Sequence, residues 1–443
     1  MLLMKKNDKV ADISISQYGN ISAINKVYDS TLFPIGVFYL GYELGNNPEQ
    51  DAKRLNDWWL LNSIPTERDS IRIGLEKLGI QDVHELKILG HGLSLLNFYW
   101  IKDSNDPTLW EDINYWDHPF SPEIGEALFN HKAVRKNPMM ASPDSGINGM
   151  LKKKWLERKD GYYLIKSGTG LLKEDVYNEV LASDLMECAG ISHAEYQLCK
   201  EDSNIYCMSK CLTDAETEMI MFSQIMDLLP RKHGYHAETE LEYVYRICDY
   251  LGVDDYQKSI NDMLCIDFIL AGFDRHYSNI ALLYRNGNYS FCPIYDSGNC
   301  LWNSYSIESI KANDEYLLAR PFCDPNTYGT WGRQKQYIYD YIGLSKDDFV
   351  KCLLKHIQRE SSFSEMKEER IKKIAASCFE RAYDLQQFLV AKGCFISDEV
   401  KITRSDIDSF QNMISDKINV LQLDTNIVNL DTEKLRYLSI EES

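Results

Sequence analysis

Between Tyr256 and Asp296 the chain carries an apolar helix pattern, a crowded polar run and a hairpin signal in direct succession. This order restricts the fold more tightly than any other stretch. Residues 256–270 are apolar on most sides of a helix, which predicts a buried helix broken at Gly272. Ile280 to Tyr284 reads as a buried strand and Tyr289 to Tyr295 as its return. Between them, Arg285-Asn286-Gly287-Asn288 reads as a tight turn, because Asn-Gly takes the positive φ angles such turns need. A hairpin brings its open ends together, so Asn279 and Asp296 should lie side by side with Asp274 close by. Two carboxylates and a carboxamide gathered there suit a divalent cation with oxygen ligands, plus a general base. That is equipment for phosphoryl transfer. The plainer alternative is a buried structural network of polar groups.

The upstream parts acquire meaning from their order. The loop Ser142-Pro143-Asp144-Ser145-Gly146-Ile147-Asn148-Gly149 has glycines that let backbone N–H groups approach a phosphate, or it is simply a turn. Lys166 ends an apolar strand, where an ammonium can pair with phosphate oxygens or face solvent. Glu179 on the next helix can hold Lys166 in place or stand in water. Asp296 leaves the hairpin before Ser297-Gly298, where a turn-forming aspartate is also common. Glycine loop, strand lysine, helix glutamate, buried helix, Asp-x-x-x-x-Asn, hairpin and aspartate form, in that order, the part list of protein-kinase-like phosphotransferases.

The chain of 443 residues has room for two or three structural units. Residues 9–45 read as short strands. Helices are expected from Glu49 to Ile64, stopped by Pro65, from Thr66 as N-cap, and from Asp82 to Leu89. Residues 94–125 read as loop-rich, with Trp100, Trp110 and Trp116 packing this unit onto its neighbour or lining a groove. After the loop from Asn137 to Gly149, strands are expected over 150–158 and 161–166, turning at Lys159-Asp160-Gly161. A helix from Asp175 ends at Gly190, and strands follow over 196–199 and 205–208. From Ala215 the chain reads as mainly helical apart from the hairpin, including Ser345–Gln358 and Glu368–Lys392.

A net charge of −19 argues against broad contact with nucleic acid, leaving Lys152-Lys153-Lys154 with Arg158 and Lys159 as a local basic patch. No apolar run is long enough for a membrane-spanning helix, and Met1 to Asp8 lacks a signal-peptide pattern, so a cytoplasmic location is expected. The 12 cysteines show no zinc spacing and read as reduced thiols.

Asp274-Arg275-His276-Tyr277-Ser278-Asn279-Ile280 resembles the catalytic loop of HipA-type serine/threonine kinases. It is also similar to that of phosphatidylinositol 3- and 4-kinases. Asn178-Glu179 opening a helix that ends in Ala189-Gly190-Ile191, the Tyr196 strand, and Arg320-Pro321-Phe322 resemble the HipA type more closely. The resemblance spans roughly residues 140–400. It implies an α+β, bilobal, protein-kinase-like fold: an accessory α+β unit over 1–135, a β-rich N-lobe over 136–212 and a helical C-lobe over 213–443. Asp274 would be the base, Asn279 and Asp296 would hold Mg²⁺, and Lys166, oriented by Glu179, would contact ATP phosphates. The loop with Ser145, Gly146 and Gly149 would lie over those phosphates. Tyr206, Met208 and Lys210 would form the hinge beside adenine, and His276 would support the catalytic loop. The family also implies autophosphorylation at Ser145 or Ser142, a protein substrate with a Ser/Thr hydroxyl, and a DNA-binding, HipB-like antitoxin as partner. The net charge of −19 and the missing basic helix argue against direct nucleic-acid and membrane binding. The alternatives are a small-molecule or lipid kinase, or a nucleotide-binding pseudokinase or scaffold.

Overall fold

The structure is a computed structural model and describes residues 1–68, 70–135, 140–232, 238–322, 329–363, 366–415 and 427–430. The expected loop start at Asn137, the boundary at 136, and residues 416–426 and 431–443 of the expected C-terminal unit lie outside these.

The first sheet contains β1 (Leu2–Lys5), β2 (Asp8–Ile15), β3 (Ile21–Val27) and β4 (Tyr99–Lys102), in the order β3-β2-β1-β4. The chain is therefore extended from Leu2 rather than from residue 9, and no strand lies between Tyr28 and Gly45. Helix α1 (Pro48–Leu61) starts as its sequence dictates: Asn47 caps Gln50 N and Pro48 occupies the first turn. Its Leu55, Trp58 and Trp59 pack on Leu3, Val10, Ile13 and Ile101 of the sheet.

The expected helix from Thr66 is a correction. Helix α2 (Ile71–Leu78) begins after Ser70 in left-handed backbone, with no side-chain cap. Arg68, read as part of its first turn, is buried and donates to the carbonyls of Ile147 and Gly149. Tertiary contact outweighs the local cap signal here. Helix α3 (Val83–Leu89) starts at its Asp82 cap as expected. Helix α4 (Glu123–Asn130) follows the loop-rich stretch. Trp100 and Trp110 take the packing role: they share a buried cluster with Ile147, Trp155 and Tyr162, and Trp116 packs against it.

A five-stranded sheet comes next, ordered β12-β7-β8-β6-β5. It consists of β5 (Lys153–Arg158), β6 (Gly161–Lys166), β7 (Tyr196–Glu201), β8 (Asn204–Lys210) and, after the helices, β12 (Val428–Asn429), which runs parallel to β7. Helix α5 (Glu174–Cys188) is buried along nearly its whole length. Val176, Val180 and the sheet residues Tyr196, Leu198 and Cys207 form one cluster, while Leu181, Leu185 and Met186 join the helical core. The helix thus bridges sheet and helices.

A second correction concerns β9 (Thr217–Met221), in a stretch expected to be helical. It joins β10 (Ala281–Arg285) and β11 (Asn288–Phe291) as a third strand, pairing Met221 with Ala281 and Thr217 with Arg285. The five residues Thr217 to Met221 are too short to distinguish strand from helix by pattern, and their partner lies far along the chain. The returning strand is shorter than expected because Pro293 has no N–H for the ladder.

The large core gathers α6 (Phe222–Ile225), α7 (Glu240–Leu251), α8 (Tyr256–Ile269), α9 (Trp331–Gln334), α10 (Lys346–Phe363), α11 (Glu368–Ala391) and α12 (Arg404–Ser415). No helix among the described residues is long and apolar enough to cross a membrane.

Candidate active site

The turn at Lys159-Asp160 sets the register of the β5–β6 hairpin, pairing Arg158 with Gly161 and therefore Lys153 with Lys166. Side chains alternate along a strand, so Lys153 and Lys166 share one face and Lys154 takes the other. The expected basic patch therefore does not exist as a unit. Lys154 is buried and paired with Glu126 and Glu201, at 2.7 Å each. Lys166 turns inward, where its ammonium meets Glu179 Oε1 at 2.9 Å, Asp296 Oδ1 at 2.8 Å and the Tyr196 hydroxyl at 2.7 Å.

Helix α5 holds the far side of this cluster. Glu179 Oε2 accepts from Ser297 N at 2.8 Å, and Asn178 Nδ2 donates to the carbonyls of Gly298 and Cys300. Gly298 permits the close approach: a Cβ there would sit 2.9 Å from Asp175 O and 3.1 Å from Glu179 Cγ. Asp296 itself lies in left-handed backbone, φ 59°.

Arg275 joins the two ends of the polar segment. Its buried guanidinium forks onto Asp267 of α8 at 2.8 and 2.9 Å and donates to Asn279 O, Tyr295 O and Ser297 Oγ. Tyr295 returns a bond to Ser278 O at 2.8 Å. Asn279 Nδ2 donates to Asp274 O at 3.2 Å, which leaves its Oδ1 turned away from that contact. Asn279 thus touches the Asp274 backbone, and Arg275 ties Asn279 to Tyr295 and Ser297 on either side of Asp296. Asp274 Oδ2 accepts from Asn299 at 2.9 Å, and its Oδ1 lies 3.4 Å from Arg320 Nη1. His276 caps the turn over 277–279 by accepting from Ser278 N.

The electrostatics follow from burial and pairing. Burial works against the Lys166 ammonium, but Asp296 and Glu179 outweigh it and hold its pKa well above the usual lysine value. Burial likewise opposes the Asp296 carboxylate, and Lys166 and Lys153 outweigh it, keeping Asp296 below the usual carboxylate range. Glu179, more deeply enclosed, is pushed up by desolvation. Lys153 is pulled down to about 8 by burial, with Asp296 acting in the opposite direction. A cation held down in this way is stabilised by an incoming anion.

Not every expected residue joins this cluster. Register pairs Lys166 with Cys207 and Tyr163 with Lys210, so Tyr206, Met208 and Lys210 point to the opposite face. Tyr206 and Met208 sit in a cluster with Phe129 and Tyr163. The two-residue period of a strand thus turns these three side chains away from the face that carries Lys166. Ser142 and Ser145 are fully buried. Ser142 bonds to Asp144, Ser145 Oγ donates to Ser142 O, and Asn148 Nδ2 reaches Leu61 O of the first unit. A Cβ on Gly90 would meet Ser145 Oγ at 2.8 Å, so Ser145 and Gly146 form a packed joint and not an open flap. The end of this loop lies beside Lys153: its Nζ reaches Asn148 O at 3.4 Å, and a Cβ on Gly149 would be 2.5 Å from it.

Lys153, Tyr196, Ser297 and Asn299 were not singled out from sequence as site residues. Lys153 was accessible in principle, because the expected turn already set it opposite Lys166. The other three act through contacts that only the folded chain makes.

Among the described residues, no three His, Cys, Asp or Glu side chains form a metal-binding group. The oxygens of Asp296 and Asn279 nevertheless suit Mg²⁺, which is commonly held by one or two protein oxygens and completed by substrate phosphates. A cavity of about 260 Å³ lined by Lys5, Trp58, Tyr99, Glu218 and Tyr284 lies elsewhere, between the first sheet and the β9–β11 sheet.

No protein-family model matches the chain, and no curated protein matches it. Among solved structures the chain is similar to the Helicobacter pylori proinflammatory kinase CtkA, with 17% identity and a TM-score of 0.39. That match covers 59% of this chain and 94% of CtkA. It is also similar to a chain of the Shewanella oneidensis MR-1 toxin–antitoxin complex of HipA, HipB and operator DNA, with 10% identity and a TM-score of 0.41. Here 93% of this chain and 95% of the other are covered.

Proposed function

We propose that the chain is an ATP- and Mg²⁺-dependent phosphotransferase acting on a protein serine or threonine hydroxyl. The observation that carries this reading is one ammonium, Lys166, shared between Glu179 on a buried helix and Asp296 at the mouth of the hairpin that holds Asp274 and Asn279. Bound Mg²⁺ supplies charge neutralisation for the transferring phosphoryl group. Asp296 and Asn279 offer it hard oxygen ligands. Lys166 and Lys153, on one face of the sheet, offer positive charge to the phosphates, and Glu179 keeps Lys166 from swinging away. Asp274, a third exposed, is the group open to an incoming hydroxyl and takes its proton. Arg275 does no chemistry; it holds the loop and hairpin in register.

Residues Tyr206–Lys210 remain the proposed hinge beside adenine, with backbone rather than side chains facing the nucleotide. On the sequence resemblance we extend the proposal to a HipB-like, DNA-binding antitoxin as partner. Co-purification of this chain with a basic helix-turn-helix protein checks that part.

The principal test is phosphoryl transfer from radiolabelled ATP to a protein panel, with phosphoinositides and aminocyclitols as competing acceptors. Transfer to protein, lost in Asp274→Ala and in Asp296→Ala, is expected. Wild-type turnover in either variant overturns the site, and transfer only to the small acceptors overturns the substrate class. Autophosphorylation at Ser145 or Ser142 requires the packed loop to leave its joint, so a mass gain of about 80 Da should coincide with new protease cleavage between residues 140 and 150.

A further inference from the structure

Away from the phosphoryl-transfer cluster, two thiols distant in sequence meet at a helix interface. Cys188 is the last residue of α5 and is exposed, whereas Cys352 on α10 is buried. Their sulfurs are 3.7 Å apart, within thiol–thiol hydrogen-bond distance. The surrounding interface is ordered by its own chemistry, since Asp184, one turn before Cys188, pairs with Arg359 on α10. A disulfide has sulfurs about 2.0 Å apart, so closing the bond needs an approach of about 1.7 Å. The end of α5 can supply this by side-chain rotation, because Cys188 faces solvent.

We propose that Cys188 and Cys352 are an oxidative modification site, forming an intrachain disulfide that pins the helix bearing Glu179 to α10. The co-reactant is a small peroxide. The exposed Cys188 sulfur attacks one peroxide oxygen, the O–O bond breaks, and the departing hydroxide takes the Cys188 thiol proton as water, leaving a sulfenic acid. The Cys352 sulfur then attacks the Cys188 sulfur, the S–O bond breaks, and the departing hydroxide takes the Cys352 thiol proton as a second water. Two thiols lose two hydrogens and two electrons, and one peroxide becomes two waters. The cross-link spans 164 residues of chain. It therefore restricts the unfolded state strongly while asking little of the folded one.

The experiment treats the reduced full-length chain with a stoichiometric excess of hydrogen peroxide, followed by intact-mass and peptide-mass spectrometry. The expected result is a loss of about 2 Da reversed by dithiothreitol, with one linked peptide pair containing Cys188 and Cys352. A thermal midpoint raised by a few degrees should accompany it. Cys188→Ser, a change on the surface, should fold normally and show neither effect. Three results overturn the proposal: no mass loss, Cys188 carried to the sulfinic acid while Cys352 remains alkylatable, or a disulfide-linked dimer through Cys188. None of these depends on kinase activity, so this site and the phosphotransferase reading fail separately.

Discussion

Lys166→Met is the most informative perturbation, because the structure specifies what it leaves behind. The Lys166 side chain is 4% exposed and Glu179 3%, while Asp296 keeps 23%. At 2.9 Å and an effective dielectric near 20, the Lys166–Glu179 attraction is about 6 kcal/mol before desolvation is subtracted. Removing the cation strands a buried carboxylate, at a cost of about 3–5 kcal/mol. For a chain of 443 residues unfolding as one unit, the unfolding entropy corresponds to about 1 °C of midpoint per kcal/mol. A fall of roughly 3–5 °C near neutral pH is therefore expected.

The pH dependence has a definite sign. In the wild type, the depressed pKa of Asp296 contributes stability present above the unfolded aspartate value and lost as pH falls through the folded one. In the variant that contribution is gone, and Glu179 and Asp296 are relieved by protonation. The gap between the two proteins should thus be widest near pH 7 and close toward pH 4. Adding Glu179→Gln to Lys166→Met should recover most of the lost stability but none of the phosphoryl transfer. Thermal unfolding across pH 4–8, read beside radiolabelled-ATP turnover, checks both parts. Equal midpoints for wild type and Lys166→Met at pH 7.5 would refute the reasoning, and so would a gap that widens on acidification.

Three further outcomes are expected. Arg275→Lys keeps the charge but loses the fork that joins Asp267, Asn279, Tyr295 and Ser297, so urea unfolding should show a loss of about 3–5 kcal/mol and turnover should drop more than about tenfold. Gly149→Ala strains a backbone at φ 102° and pushes against Lys153, so KM for nucleotide should rise more than kcat falls, with a stability cost of about 1–3 kcal/mol. Burial raises Asp144 from 3.8 to about 7, so the folded state binds its proton more tightly, and stability declines between pH 4 and 7 by about 4 kcal/mol from this group. Asp144→Asn should flatten that slope in urea titrations, and parallel profiles for the two proteins would contradict it.

The sequence by itself determined the elements whose signals are local. The Asn-Gly turn, the β5–β6 hairpin and the largely apolar pattern of α8 each follow from neighbouring residues. The approach of the Asn279 and Tyr295 ends was legible for the same reason, since a hairpin closes its own ends. Tertiary structure decided the remainder. Whether Thr217–Met221 is strand or helix depends on β10, whether Arg68 opens a helix depends on the carbonyls of Ile147 and Gly149, and whether Ser145 is a flap depends on Gly90. Which face Tyr206 and Met208 present follows from register against β6. The cluster around Lys166 draws on β6, α5, β7 and the hairpin exit, 130 residues apart at the extremes. Its energies come from desolvation and charge pairing inside a packed interior, and those exist only once the distant segments have met.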